Sequence, residues 1–196
     1  MSIVPDRLAK SIRGGIAPIA QRLHALGVSA NAVTVVGFLV TLAGAALLAT
    51  GQPGAALLVL LLGTLSDTLD GQIARAAGGG TRFGAFLDST LDRLSDAALA
   101  IAAIFVLFWG GLVLLVASFL VSYIRAKAES LGQGASVGLA PREARIAIYL
   151  GGVAAWAVTG NPQLFAAAVA VAAFLATITV IQRIAHMAKA LDEKRG

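Results

Sequence analysis

Four aspartates stand close together in a sequence that carries little charge elsewhere. Asp67 and Asp70 are spaced i, i+3, and Asp88 and Asp92 are spaced i, i+4, so each pair would share one face of a helix. Like charges do not share a small site unless protons neutralise them or cations bridge them. This segment holds neither histidine nor cysteine, and such oxygen ligands favour magnesium, manganese or calcium over zinc.

The same segment contains groups that suit a phosphate. Gly71 and the run Gly78–Gly80 allow close approach of the backbone, while Arg75 and Arg82 offer charge-assisted hydrogen-bond donors. Carboxylates, divalent cations and phosphate-binding groups together predict phosphoryl transfer.

Two other interpretations are open for these carboxylates. A structural one makes them interfacial groups that are salt-bridged to arginines of the same segment: Arg75, Arg82 and Arg93. A functional one makes them the ion path of a cation transporter, which predicts that acidic residues continue toward the far side of the membrane. No charge follows along the chain from Asp96 until Arg125. Asp96 itself would lie three turns into its helix, where an ionisable residue usually faces a bundle interior.

The composition indicates an integral membrane protein. The 196 residues are 58% hydrophobic and only 13% charged, with a mean hydropathy of +0.86. The net charge of +5 favours anionic lipids and an anionic substrate as partners. No basic, aromatic-rich patch predicts a nucleic-acid partner, and the absence of cysteine excludes disulfide and thiolate chemistry.

The distribution of charge predicts six membrane spans. Three stretches lack Asp, Glu, Lys and Arg: Ala25–Ser66, Ala97–Ile124 and Ile146–Gln182. The first and third are long enough for two helices each, with breaks predicted at Gly51–Gly54 and Thr159–Gln163. The middle stretch fits either one span or a hairpin that turns at Trp109–Gly111. The hairpin is preferred because only six spans bring every charged segment to one face of the membrane.

That face is predicted to be cytoplasmic, with both termini inside, because Lys and Arg favour the cytoplasmic side. The predicted fold is all-α: six transmembrane helices preceded by an amphipathic interfacial helix whose apolar stripe is Ile12, Ile16, Ile19, Leu23 and Leu26. Three regions are predicted: an amphipathic juxtamembrane helix at 1–24, a six-helix domain at 25–188 and a charged tail at 189–196.

One pattern resembles the signature of the CDP-alcohol phosphotransferase family at every defined position. It reads Asp67-x-x-Asp70-Gly71-x-x-Ala74-Arg75, then eight residues, then Gly84-x-x-x-Asp88-x-x-x-Asp92. The resemblance implies a membrane enzyme in which an alcohol displaces CMP from a CDP-linked donor and forms a phosphodiester. It also implies a homodimer.

The resemblance implies a role for each matching residue. Asp67, Asp70 and Asp88 would hold one or two Mg²⁺ or Mn²⁺ ions, and Asp92 would accept the proton of the attacking hydroxyl as well as contact the metal. The CDP-donor site would comprise Asp70, Gly71, Ala74, Arg75, Thr81 and Gly84. The string "SANAVT" is similar to the family's Pro-Asn-x-x-Thr element, with Ala30 in place of proline, which adds Asn31 and Thr34. The same string also reads as a helix N-cap.

Five basic residues near three predicted helix ends indicate a second anion site: Arg125, Lys127, Arg142, Arg145 and Arg183. Such a site would bind the phosphate of an acceptor; the alternative is the ordinary basic flank of membrane helices. The strings "SYIRAKAE" and "IQRI" resemble the branch of the family that makes phosphatidylinositol phosphate, whereas "APREAR" departs from the "ERPER"-like string of that branch.

The predicted function is therefore transfer of a phosphatidyl group from CDP-diacylglycerol to inositol phosphate, with the active site on the cytoplasmic side of the cell membrane. Another acceptor or donor remains an alternative, as in phosphatidylglycerolphosphate, archaetidylinositol-phosphate or di-inositol-phosphate synthesis. The cation transporter is the alternative from a different class.

Overall fold

The computed structural model describes residues 17–134 and 137–192, and the regular structure in this part of the chain is helical. Residues 1–16 of the predicted interfacial helix and 193–196 of the predicted tail lie outside the described residues. Helix α1 covers 17–25. The others are α2 (Ala30–Ala49), α3 (Pro53–Ala76), α4 (Arg82–Ile104), α5 (Phe108–Ser130), α6 (Arg142–Thr159) and α7 (Pro162–Asp192).

Local sequence sets where these helices begin and end. The Ser29 hydroxyl accepts a hydrogen bond from the Ala32 N–H at 3.2 Å and so caps α2. Proline in the first position starts α3, and Gly160, with φ of 71°, ends α6 in the left-handed conformation. Both predicted Gly/Pro breaks, between α2 and α3 and between α6 and α7, are confirmed.

The turn between α4 and α5 is not where the sequence suggested. The chain turns at residues 105–107, and Trp109–Gly111 lie in the first turns of α5. The glycine pair serves helix packing instead: a Cβ on Gly111 would lie 2.6 Å from the backbone nitrogen of Ile104. The predicted turn was therefore wrong in position, although two antiparallel helices do fill the middle stretch.

Small residues let the helices pack closely. Helix α2 packs against α3 and α4, α7 packs against α5 and α6, and the pairs α4–α5 and α3–α6 join the two groups. At the α2–α3 contact a Cβ on Gly44 would lie 2.6 Å from Leu60 Cδ2. In the core, the Phe165 ring lies edge-on to Tyr149 and parallel to Trp156. Close approach of backbones is typical of helix packing inside membranes.

The outer surface is that of a membrane protein. Four helices, α2, α3, α5 and α7, are long and apolar enough to cross a bilayer by length and composition. Large apolar side chains stand exposed around the bundle, including Leu58, Phe105, Trp109 and Val158. Exposed apolar surface of this extent is unfavourable in water and favourable in lipid.

The charged residues meet at one end of the bundle, which we call the charged end. Arg142, at the start of α6, contacts Asp67 near the end of α3 and Asp96 in α4. Arg183, late in α7, donates to the backbone carbonyl of Val121 late in α5. The ends of α3, α5 and α7 and the starts of α4 and α6 therefore come together there.

Candidate active site

A cavity of about 470 Å³ opens at the charged end between the starts of α2 and α4 and the end of α3. We call it the α2–α4 cavity. Most residues predicted to bind the CDP donor line it: Asn31, Thr34, Asp70, Gly71, Ala74, Thr81 and Gly84. Asp88 also lines it, whereas Arg75 is exposed outside the lining. The volume is typical of a small-molecule site.

Asp70 is the buried polar anchor of this cavity. Its side chain lies on the last turns of α3 with 7% of the residue exposed, and its Oδ2 accepts a hydrogen bond from Thr34 Oγ1 at 2.7 Å. Thr34 lies on the first turns of α2, so the bond ties the two helices together. The sequence element around Asn31 and Thr34 thus lines the cavity, while Ser29, two residues before Asn31, caps the helix.

Glycines shape the cavity in two ways. A Cβ on Gly84 would lie 2.9 Å from Asn31 Oδ1 and 3.1 Å from Thr81 Oγ1, so the start of α4 can sit this close to α2 only without a side chain. A Cβ on Gly71 would meet only Arg75 Nη2, at 3.7 Å, so that position keeps space open. The Thr81 hydroxyl caps α4 by accepting from the Gly84 N–H at 2.9 Å.

The starts of α2 and α4 both lie at the cavity. A helix N-terminus presents unpaired backbone N–H groups and the positive end of the helix dipole, which favour an anion. The lining is otherwise mainly apolar or small, with Asp70 and Asp88 as its carboxylates. The cavity therefore combines backbone groups suited to phosphate with carboxylates suited to a divalent cation.

Beside the cavity, Arg142 uses its three guanidinium nitrogens on three carboxylates. Its Nε lies 3.0 Å from Asp96 Oδ1, its Nη2 3.0 Å from Asp92 Oδ1 and its Nη1 3.3 Å from Asp67 Oδ2. We call Asp67, Asp92, Asp96, Arg142 and Arg145 the Arg142 cluster. It joins residues from α3, α4 and α6, and its Asp67–Arg142 contact spans 75 positions of the chain.

The arginine predicted one turn later, Arg145, is 5% exposed. Its Nη1 donates to the Ala140 carbonyl at 2.9 Å, and its Nη2 lies 3.6 Å from Asp96 Oδ2. Asp96 is therefore held between two arginines. Asp96 follows Asp92 by four residues, so the sequence placed it on the same face of α4 and below the membrane surface. That position indicated a functional residue but did not identify its partner.

Three further residues were predicted to bind the acceptor phosphate: Arg183, Arg125 and Lys127. Arg183 is buried, and its guanidinium donates to the backbone carbonyls of Val121 and Val137. Arg125 and Lys127 are exposed at the end of α5, where Arg125 pairs with Glu129 at 2.9 Å. Arg183 lies within electrostatic range of Arg125 and Arg145. The four predicted arginines, Arg125, Arg142, Arg145 and Arg183, therefore lie at the charged end, and we call them the arginine mouth. Lys127 is exposed beside them on α5.

The carboxylates suit a divalent cation by their chemistry and charge. Asp88 interacts electrostatically with each of Asp67, Asp70 and Asp92. Arg142 contacts Asp67 and Asp92, and Arg93 contacts Asp92, so within the described residues two positive charges pair with these four carboxylates and negative charge remains in excess. In residues 17–134 and 137–192, no three acidic or histidine side chains already converge as a metal cage. The all-oxygen donor set still fits Mg²⁺ or Mn²⁺.

The structural interpretation of these carboxylates holds for only one of its three arginines, Arg93. Within the described residues, neither Arg75 nor Arg82 forms an ion pair, and Arg93 Nη1 lies 3.5 Å from Asp92 Oδ2. The main partner is Arg142, which the sequence analysis had assigned to the acceptor.

Comparison with known proteins gives consistent results. The model of the family described as CDP-alcohol phosphatidyltransferase matches residues 27–190. The archaetidylinositol phosphate synthase of Methanothermobacter thermautotrophicus is 43% identical over 181 residues, which cover 90% of each chain. The phosphatidylinositol phosphate synthase of Mycobacterium tuberculosis is 35% identical over 182 residues, 85% of this chain and 82% of the relative.

Solved structures agree in fold. The crystal structure of the Mycobacterium tuberculosis phosphatidylinositol phosphate synthase with CDP-DAG bound superposes with a TM-score of 0.80 at 34% identity, covering 86% of this chain and 91% of that one. The same enzyme in complex with manganese and citrate gives 0.81 at 34% identity, covering 86% and 87%. By sequence match and by fold, the chain belongs to the CDP-alcohol phosphatidyltransferase family.

Proposed function

We propose that this protein transfers the phosphatidyl group of CDP-diacylglycerol to inositol phosphate and releases CMP, forming phosphatidylinositol phosphate. One observation carries the proposal: the Arg142 cluster lies beside the α2–α4 cavity, with Asp92 one helical turn from Asp88 in the cavity lining. Arg142 contacts Asp92, the candidate base, and it stands with Arg145 where a phosphate on the acceptor would bind. Asp70 and Asp88, on the other side, line a cavity of the right size for the donor headgroup.

The α2–α4 cavity is assigned to the donor. Asn31, Thr34 and Thr81 supply polar groups, Gly71 and Gly84 give the backbone close access, and the starts of α2 and α4 face the diphosphate. The acyl chains remain in the bilayer beside the bundle. Arg75, whose guanidinium lies beside Gly71, reaches the donor by a change of side-chain conformation.

In the reaction, the hydroxyl oxygen of the acceptor forms a bond to the phosphatidyl phosphorus. The bond from that phosphorus to the oxygen bridging it to CMP breaks, and CMP leaves with that oxygen. Asp92 takes the hydroxyl proton. Arg142 positions this carboxylate and, with Arg145 and Arg183, binds the acceptor phosphate, while Arg125 and Lys127 add positive potential at the rim.

Asp67, Asp70, Asp88 and Asp92 would hold Mg²⁺ or Mn²⁺, one or two ions per site. The bound ions supply positive charge that neutralises the diphosphate and stabilises the leaving CMP. The shared acidic environment around Asp88 supports this assignment, since Arg142 and Arg93 offset only part of the negative charge.

The test is CMP release by purified protein from CDP-diacylglycerol and magnesium, with inositol phosphate, free inositol and glycerol 3-phosphate offered in parallel. We expect release with inositol phosphate only, and a loss of about 100- to 10,000-fold in Asp92→Asn, the range for removal of a general base. A parallel assay with CDP-archaeol distinguishes the two lipid donors. Release with glycerol 3-phosphate instead would overturn the acceptor assignment, and ion flux into vesicles without CMP release would support a transporter.

We also propose that all six helices α2–α7 cross the cell membrane with the charged end and both termini in the cytoplasm. Helices α4 and α6 carry their charges at that end only, and α7, at 31 residues, is longer than the bilayer core requires. The exposed apolar residues Ile19 and Leu26 support an interfacial position for the segment 1–24, followed by the domain 25–188 and the tail 189–196.

Orientation is directly testable because the chain has no cysteine. Single cysteines at Ser130 and Thr159, at opposite ends of the bundle, would be labelled in intact cells by a membrane-impermeant maleimide. We expect labelling at Thr159→Cys only. Labelling of Ser130→Cys in intact cells would reverse the proposed orientation.

A homodimer is the proposed assembly. Helix α6 exposes small residues one turn apart, Ala147 and Gly151, and a Cβ on Gly151 would meet nothing within 4 Å. Such a surface permits close packing of a second copy. Gly151→Leu should shift the protein toward monomer in detergent, as measured by light scattering; an unchanged mass would exclude this face.

A further inference from the structure

Side chains on one face of α7 form hydrogen bonds with the backbone of the connection between α5 and α6. Four side chains at spacings of three and four residues each contact a different main-chain group of that connection. Thr179 contacts the Ala140 N–H, Gln182 the Leu139 N–H, Arg183 the Val137 carbonyl and His186 the Gly134 carbonyl. These contacts with main-chain groups fix the path of the connection. Among the four residues, only Arg183 was predicted from the sequence to be functional.

Thr179 is the innermost of the four and is fully buried. Its hydroxyl accepts a hydrogen bond from the Ala140 N–H at 3.1 Å and donates one to the Leu175 carbonyl at 2.9 Å. The hydroxyl proton and one of the two acceptor lone pairs are therefore used. Its methyl group packs on Gly138, which has φ of 138° and no room for a Cβ against Thr179 Cγ2. The side chain therefore fixes two neighbouring points of the connection.

The main chain of Ala140 connects Thr179 with Arg145 through two hydrogen bonds. Thr179 holds the N–H, and the carbonyl accepts from Arg145 Nη1 at 2.9 Å. The next residue, Pro141, precedes the first residue of α6, which is Arg142. The position of Ala140 thus determines where α6 begins, and with it the place of both arginines against Asp96.

We propose that Thr179 is a positioning residue for the acceptor side of the site, acting through the Ala140 backbone on Arg142 and Arg145. This inference rests on the proposed function, because it assigns those arginines to the acceptor phosphate. Within the described residues, the lining of the α2–α4 cavity includes nothing from the α5–α6 connection or from α7. Loss of the Thr179 contact should therefore affect the acceptor and spare the donor.

The experiment compares Thr179→Val, Thr179→Ser and Thr177→Val by steady-state CMP release in detergent. Valine keeps the shape of threonine and removes the hydroxyl; serine keeps the hydroxyl. Thr177 is the matched control: its hydroxyl donates to the Ala173 carbonyl at 2.9 Å, the same bond within the helix, without contact to the connection.

We expect Thr179→Val to raise the KM for inositol phosphate about tenfold, with the KM for CDP-diacylglycerol within about twofold of the wild type, since misplaced binding groups weaken only the ligand they hold. Thr179→Ser should restore most of the lost affinity, and Thr177→Val should match the wild type. Hydrogen exchange should become faster in the peptide that contains Ala140 in Thr179→Val alone.

Three results would overturn the inference: an unchanged KM for inositol phosphate in Thr179→Val, equal rises in both KM values, or a serine variant no better than valine. Failure of the proposed function has a different signature, because the wild-type protein would then release no CMP with inositol phosphate.

Discussion

The α2–α4 cavity and the Arg142 cluster lie side by side and are built in opposite ways. The cavity is formed by small residues, backbone and helix starts, and its polar contact between Thr34 and Asp70 leaves about 470 Å³ open. The Arg142 cluster is filled by its own side chains, with three carboxylates on one guanidinium. One half of the site keeps space for a ligand, and the other half holds opposite charges against one another.

The difference indicates how each half responds to substitution. Within the described residues, Asp70 and Asp88 in the cavity form no ion pair, so these carboxylates destabilise one another until a cation binds, and their removal should cost activity rather than stability. Charge in the Arg142 cluster is paired, and its inner pair, Asp96 and Arg145, is buried, so removal of one partner there leaves a buried charge with less compensation. The comparison fails if the two halves respond alike.

The largest effect is expected from Asp88→Asn. Asp88 is exposed, lines the cavity and interacts with the three other carboxylates, so the change removes a candidate metal ligand and relieves repulsion. CMP release should fall about 1,000-fold, which corresponds to about 4 kcal/mol of transition-state stabilisation. Thermal unfolding in detergent, measured without metal, should occur no lower than in the wild type. A lower unfolding temperature would show that Asp88 is a structural group.

The next effect is expected from Asp96→Asn in the Arg142 cluster. Asp96 is 9% exposed and lies between Arg142 and Arg145, so the neutral side chain leaves the buried Arg145 and the partly buried Arg142 with less compensation. We expect a loss of about 3 kcal/mol in the free energy of unfolding. Denaturant titration in detergent measures it, with Asp88→Asn as the paired comparison. Equal stability of the two variants would remove the distinction between the halves.

The same difference explains what the sequence could predict. Residues of the cavity come from two short segments, so the spacing of Asp70, Gly71, Gly84 and Asp88 places them on facing helix ends before any tertiary contact is known. Helix geometry and Gly/Pro breaks also predicted the order of the helices. Those inferences depend on local rules, which a single sequence contains.

Contacts between distant segments could not be predicted in the same way. The sequence placed Arg142 near the charged end but gave no means to pair it with Asp67, which is 75 residues away. It also favoured a turn at Trp109–Gly111, because glycine marks turns as readily as close helix contacts. Gly111 packs closely against Ile104, so this glycine serves a helix contact and not a turn. That contact is visible only in the folded structure.

An intermediate effect is expected from Gly84→Ala, which tests the space in the cavity. The new methyl group would lie 2.9 Å from Asn31 Oδ1 and 3.1 Å from Thr81 Oγ1, so the start of α4 must move away from α2. The KM for CDP-diacylglycerol should rise about tenfold, the equivalent of about 1.4 kcal/mol, while the KM for inositol phosphate stays the same. Gly54→Ala, at the start of α3 and away from the charged end, is the control, since its methyl group would meet nothing within 4 Å. A rise in the acceptor KM alone would place the donor elsewhere.

The smallest effect is expected at the rim of the arginine mouth. Arg125 and Glu129 are each 57% exposed and form a pair within one helix, and an exposed pair of this kind contributes little to stability. Arg125→Gln should therefore leave thermal unfolding unchanged. It should raise the KM for inositol phosphate about two- to threefold at low salt, because Arg125 adds positive potential beside Arg183, and the effect should shrink as ionic strength rises.

Lys189→Gln, which removes an exposed charge late in α7, is the control. An effect of Arg125→Gln that persists in high salt would mean that Arg125 contacts the acceptor directly and belongs with Arg142 and Arg145, which would extend the buried half of the site to the surface.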